Sequence, residues 1–205
     1  MRSYYRRRAP EYDDWWLGTG RFADRDRPGW QEDVAALYAA LAALPPARTL
    51  DLACGTGFLT AHLPGETTGL DQSEAMLDVA RRRVPSARFV QGDALDPPFE
   101  GAGFERVHAG HFYGHLDGEQ RTRFLAGAER CAPELVVTDA ALRPGEEAEA
   151  WQERILNDGS HHSVYKRWFT AAGLAAELGG GEAVHEGPWF VAVRRRFEQA
   201  DGGAA

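Results

Sequence analysis

The residues of this chain best suited to chemistry are carboxylates that close short apolar runs beside glycines. Asp51-Leu52-Ala53-Cys54-Gly55-Thr56-Gly57-Phe58 follows the apolar pair Thr49-Leu50, and Leu59 and Leu63 resume beyond it at helical spacing. That order predicts a strand, a tight glycine turn and a helix start, with Gly55 and Gly57 leaving bare backbone against which a small ligand can lie. A dinucleotide site of this type needs a third glycine, so that the helix N-terminus reaches the pyrophosphate. Thr60 stands in that place and Asp51 would repel phosphate, so the turn suits a ligand without phosphates. A second acid, Asp71, closes Gly69-Leu70-Asp71 where a βαβ unit carries a ribose-binding carboxylate, and Gln72 follows it. A third, Asp93, closes Gln91-Gly92-Asp93-Ala94 and is placed to accept from a nucleobase amine. Between them Ser73 is positioned to cap a helix in which Met76 offers a soft apolar surface.

His108-Ala109-Gly110-His111-Phe112-Tyr113-Gly114-His115 is the second chemical stretch. It follows a fourth apolar run, at the carboxyl edge of the expected sheet, where open α/β folds bind ligands. An imidazole titrates near working pH, which makes His111 the first candidate for a general base and His115 the second, with His108 on the cofactor side. These histidines and His161-His162 do not make a metal set, because no carboxylate completes it and no His-Glu-x-x-His helix presents it. The polar and aromatic segment 157–168, with His161 and Tyr165, is read as a loop forming a wall of the acceptor pocket, to which Tyr113 also contributes.

Elements to position these groups follow from the pattern of the whole chain. Short apolar runs at Thr49 to Ala53, Thr67 to Leu70, Arg88 to Gln91, Arg106 to Gly110 and Leu135 to Thr138 alternate with helical stretches, which predicts a parallel, doubly wound sheet. Val34, Leu37, Leu41 and Leu44 mark a core-facing helix ended by Pro45-Pro46, and Asp117 with Gln120 has the form of a capping box for a helix running to Cys131. Gly145 to Leu156 reads as a further helix. Thr170 is expected to cap the last one, and Glu182 to His185 and Trp189 to Arg194 read as two final strands. Residues 1–29 carry Tyr4, Tyr5, Trp15 and Trp16 and are read as an aromatic lid over the acceptor, with a helix from about Ser3 to Trp16. Residues 30–197 are expected to be one domain and 198–205 a disordered tail.

S-adenosylmethionine meets the chemistry above: it has a cationic sulfonium and ammonium, a ribose, an adenine and no phosphate. The Asp51-x-x-x-Gly55-x-Gly57, Gly69-Leu70-Asp71 and Gly92-Asp93-Ala94 elements, in register, resemble the class I S-adenosylmethionine-dependent methyltransferases, in particular the small-molecule, ubiquinone/menaquinone-like branch. The resemblance covers roughly residues 48–195 and implies a Rossmann-like, seven-stranded, mostly parallel sheet with an antiparallel last strand and helices on both faces. It implies cofactor roles for Asp51, Gly55, Gly57, Asp71, Met76, Asp93 and Ala94, and Ala53, Cys54, Gln72 and His108 adjoin them. The implied activity is methyl transfer to O, N or C of a small organic acceptor. A protein that binds the cofactor without turnover is the alternative, and the missing third glycine disfavours an NAD-dependent oxidoreductase.

Composition narrows the setting. The 205 residues suit one domain, and a net charge of −8 opposes a nucleic-acid partner. Two cysteines are too few for a disulfide framework, and neither a bilayer-spanning run nor a signal peptide is visible. A cytoplasmic protein, monomeric or homodimeric, is expected.

Overall fold

The structure is a computed structural model that describes residues 2–99 and 101–198. The expected tail therefore falls, from residue 199 on, outside the described residues.

Among the described residues, nine strands form two sheets. β1 (Thr49–Leu52), β2 (Thr67–Asp71), β3 (Arg88–Gln91), β4 (Arg106–Gly110), β5 (Glu134–Ala140), β8 (Glu182–Glu186) and β9 (Phe190–Arg196) make the seven-stranded sheet in the order β3-β2-β1-β4-β5-β9-β8. Its strands run parallel except β9, which is antiparallel to both neighbours, so the fold expected from the motifs is the one found. The order reverses between β1 and β4, the switch point at whose carboxyl edge such sheets hold ligands.

β5 and β9 carry consecutive apolar residues because both faces of the sheet are covered, and successive side chains go to opposite faces. Leu135, Val137, Val191 and Val193 pack with Phe124 of α5 (Gly118–Cys131) and Leu174 of α6 (Ala171–Glu177). Val136, Phe190 and Ala192 pack on the other face with Leu37 and Leu41 of α3 (Trp30–Ala42). The capping box of α5 is present in both directions, Gln120 N to Asp117 at 2.9 Å and Asp117 N to Gln120 at 3.1 Å, and the Thr170 hydroxyl caps α6 through Gly173 N. Ser73 stands at the N-cap of α4 (Glu74–Arg83), but its hydroxyl has no partner. Asp71 takes the Ser73 N–H instead, at 2.8 Å.

The structure corrects four local expectations. The single helix expected from Ser3 to Trp16 is broken into α1 (Arg2–Arg8), a 3-10 turn and α2 (Asp14–Leu17), because Pro10 supplies no N–H to continue α1. After the glycine turn only a 3-10 turn, Thr60–His62, forms ahead of Pro64. The helix expected over Gly145 to Leu156 is the strand β6 (Glu149–Ile155), and the expected loop 157–168 contains the strand β7 (His161–Arg167). These two pair antiparallel from Glu149↔Arg167 to Ile155↔His161. The run of good helix formers is overruled by cross-strand pairing, and by the inward face that Gln152, Arg154, Val164 and Lys166 present to the protein. Among the described residues no helix is long and apolar enough to cross a membrane.

Candidate active site

The carboxyl ends of β1 and β2 shape the glycine turn. Ala53, Gly55 and Gly57 all have positive φ, 57°, 56° and 73°, which costs a residue with a Cβ, so Ala53 marks local strain. A Cβ on Gly57 would lie 3.2 Å from that of Ala80, so its absence lets α4 close in. The Asp71 carboxylate accepts from Gly55 N at 3.0 Å and from Ser73 N at 2.8 Å. Burial pushes Asp71 up to about 6, despite the backbone donors that oppose the shift. Beneath the turn, Asp51 accepts from Thr60 Oγ1 at 2.6 Å and faces His108 Nδ1 at 2.8 Å, while His108 Nε2 meets Thr138 Oγ1 at 3.2 Å. The threonine in place of a third glycine thus bonds to the motif's first acid. Cys54 donates its N–H to Leu70 O, and burial raises its thiol well above the ordinary value.

The N-terminal segment closes over this turn. Asp13 pairs with Arg83 and accepts from Thr56 Oγ1 at 2.7 Å, and Arg83 also donates to Thr56 O at 2.8 Å. Trp16 stacks on Phe58 and Phe190 with centroids at 4.9 and 5.3 Å, and the Tyr12 ring lies 3.9 Å from where a Gly55 Cβ would be. A cavity of about 20 Å³ remains there, bordered by Asp51, Ala53, Cys54 and His108.

A second, larger cavity of about 850 Å³ opens beyond β4 and β5, under the N-terminal helices and the β6–β7 hairpin. Tyr5, Trp15, His111 and His115 line it. Tyr12 and His111 border both cavities. His111 has φ 53°, sits edge-on to Trp15 and Trp16 near 5 Å, and its Nε2 has no partner. Burial depresses its pKa to about 3, and Asp139, 3.8 Å from Nδ1, does not restore it. The expectation of an imidazole poised near neutral pH is therefore corrected: His111 is neutral at working pH. His115 is pulled well down by burial too, and its Nδ1 lies 2.7 Å from Tyr165 O. Asp139, buried at the end of β5, accepts from Gly114 N at 2.8 Å and pairs with Lys166, whose pKa burial lowers.

Five expected acceptor residues do not line this cavity, and of these Trp16 borders the small one beside the glycine turn. Tyr113 packs in the core on Phe124 and Phe169, with Arg121 over its ring. His161 and Tyr165 lie on the outward face of β7, bonded to Glu153 and Glu149, because residues alternate faces along a strand. Tyr4 is buried on Leu156 and Val164. On the cofactor side, Met76 is fully buried and Ala94 buried, whereas Asp93 is exposed with its carboxylate on Leu95 N, and Gln72 accepts from Gln91 through its carbonyl. Arg8, from the basic run Arg6-Arg7-Arg8 expected near the substrate entrance, lines the large cavity, as do Arg154 and Lys166, whose inward placement the motifs did not single out. Strand alternation in 149–167 was the signal that could have found the latter two.

A glycine turn flanked by the buried carboxylates of Asp51 and Asp71 lies at the switch point of this Rossmann-like sheet, where such sheets hold a ligand. Residues 49–133 match the family described as "Methyltransferase domain", as the sequence motifs implied. The chain is similar to phthiotriol/phenolphthiotriol dimycocerosates methyltransferase 1 of Mycobacterium ulcerans, 37% identical over 51% of this chain and 41% of that protein. It is similar to demethylmenaquinone methyltransferase of Thermotoga maritima, 32% identical over 49% of this chain and 44% of that one. The matches thus span less than half the length of these curated relatives. The solved structure described as "DhpI-SAH complex structure" matches with a TM-score of 0.72, 25% identity and coverage of 96% of this chain and 95% of that one.

Proposed function

We propose that this chain is an S-adenosylmethionine-dependent methyltransferase acting on a small organic acceptor. One observation carries the reading: His111 and Tyr12 stand at the junction of the cavity beside the glycine turn and the large cavity, as groups around a transferred methyl would. The side chains present fit the cofactor. Asp71 offers its carboxylate to the ribose hydroxyls, Gly55 and Gly57 a close approach of backbone, and Asp93 and Ala94 the adenine edge. Tyr12 and Trp16 fill the space over the turn, so the cofactor enters with outward movement of the segment around α2.

When bound, the cofactor supplies an electrophilic methyl on a sulfonium. Trp15, Trp16 and Phe190 exclude water from the transfer path, and the aromatic faces of Tyr12 and Trp15 favour a cation there by about 0.5–2 kcal/mol. His111 faces the acceptor as a neutral imidazole that orients it by hydrogen bonding, with His115 behind. Alignment in a dry site then supplies much of the acceleration. The reading includes a cytoplasmic setting and a monomer or homodimer. The net charge of −8 supports a partner other than nucleic acid.

Calorimetry with S-adenosylmethionine, its demethylated product and NAD tests this. Binding of the first two without NAD is expected; tight NAD binding with no response to the others overturns the reading. A screen of metabolite extracts for incorporation of labelled methyl then identifies the acceptor.

A further inference from the structure

The large cavity has a charge balance opposite to that of the whole chain. Six arginines and Lys166 line it against four carboxylates, although the chain carries a net −8. Two of those carboxylates are engaged, Glu146 by Arg143 and Glu153 by His161, and Lys166 is paired with Asp139, which leaves Arg8, Arg21, Arg25, Arg27 and Arg154 against Asp26 and Glu147. Arg8 is the decisive residue. It is 7% exposed, its Nε has no hydrogen-bond partner, and no carboxylate among the described residues lies within ion-pair distance. Its guanidinium lies instead over the rings of Tyr12 and Tyr4, at 5.3 and 5.8 Å. Arg154, on the inward face of β6, hydrogen-bonds the neutral amide of Gln152 and has no carboxylate within ion-pair distance among the described residues, and its charge lowers the pKa of His111, His115 and Lys166. Arg27 donates to the Trp15 carbonyl and lies over Trp30, again without a carboxylate.

Burying a guanidinium without an anion is costly; Arg8 is held in that state, and the half-buried Arg154 and Arg27 add charge without a carboxylate partner to the same cavity. We infer that the cavity binds an anionic acceptor, a small molecule bearing a carboxylate or phosphate-type oxyanion, held by Arg8 and Arg154 beside His111. The inference rests on the methyltransferase reading and names its substrate class. It also removes the need for a strong base, which His111 with its depressed pKa is not. An acceptor oxyanion attacks the methyl carbon, the C–O bond forms as the C–S bond breaks, and the electron pair stays on sulfur. The products are a methyl ester and a neutral thioether, and no proton is transferred. Opposite charges are neutralised along this path, which a dry cavity favours over water.

The test is calorimetry on the full chain saturated with S-adenosylhomocysteine, using benzoate, phenyl phosphate and the neutral benzamide as probes, with Arg8→Gln and Arg154→Gln as variants. Either anion should bind at least tenfold more tightly than benzamide, and benzoate against phenyl phosphate tells which oxyanion is preferred. Arg154→Gln, on a solvent-edged hairpin, should weaken the preferred anion at least fivefold and leave S-adenosylhomocysteine affinity within twofold. Arg8→Gln, if it folds, should do the same. Benzamide binding as tightly as both anions, no binding of either anion, or anion affinity unchanged in folded Arg154→Gln overturns the inference while the methyltransferase reading stands. Absence of S-adenosylhomocysteine binding overturns the methyltransferase reading and this inference with it.

Discussion

Thr60 Oγ1 donates a 2.6 Å hydrogen bond to Asp51 beneath the glycine turn, with both side chains almost fully buried. The threonine that occupies the third-glycine position is thereby a partner of the motif's first carboxylate. Removing it strands part of a buried charge, which costs about 1–3 kcal/mol. Thr60→Val should lower the unfolding free energy from urea titration by that amount and weaken cofactor binding, because Asp51 supports the turn. A variant with wild-type stability would show that His108 alone satisfies Asp51.

Asp71 should govern the cofactor through ionisation. Its folded pKa, raised to about 6, exceeds that of the unfolded chain, so the folded state binds the proton more tightly. The stability it contributes is fully present below about 4, the unfolded carboxylate value. That contribution is lost as pH rises through about 6. Cofactor affinity should move oppositely, rising through the same window as the carboxylate becomes a better acceptor. Asp71→Asn should lose at least about tenfold in affinity, one charge-assisted bond, and flatten both profiles. Calorimetry and denaturation between pH 4.5 and 8 give the two readings; a wild-type profile in the variant removes Asp71 from the ribose role.

His111 carries the opposite sign. Its folded pKa near 3 lies below the ordinary histidine value, so its stabilising contribution is full above about 6.5 and falls away as pH drops toward 3. Turnover should show no inflection due to His111 between pH 5 and 9. His111→Gln, which keeps a hydrogen-bonding group, should retain more activity than His111→Ala. An inflection near neutral pH that His111→Gln abolishes would restore the imidazole to the role of base.

The Asp13–Arg83 pair, with each side chain about a quarter exposed, fastens the segment before α2 to the glycine turn. Such a pair is worth about 0.2–1 kcal/mol. Asp13→Asn should therefore speed cofactor association about two- to fivefold by loosening the closed segment, an effect stopped-flow fluorescence of Trp15 and Trp16 would register. Unchanged association kinetics would mean that the cofactor enters without displacing α2.

Much of the fold was legible in the sequence because its determinants are local. Apolar runs ended by Asp51, Asp71 and Gln91-Gly92-Asp93 appear as three neighbouring strand ends. Asp117 and Gln120 cap α5 as their spacing requires, because a capping box closes within one turn. Cofactor chemistry was legible for the same reason: a glycine turn and the acid before it lie within seven residues of each other.

The acceptor side was decided by tertiary structure. Whether Glu149 to Ile155 is helix or strand depends on the partner strand His161–Arg167 beyond the turn, and that pairing sends Arg154 and Lys166 inward and Tyr165 and His161 outward. A side chain's face follows from register, which intrinsic propensity does not encode. Likewise, the type of His111 suggested a base, but its pKa was set by Trp15, Trp16 and Phe190 packed around it from two distant segments. Residue type and spacing alone determined which groups could hold a nucleoside without phosphates; burial and strand register determined which charges meet across the cavity, because desolvation is a property of the packed chain.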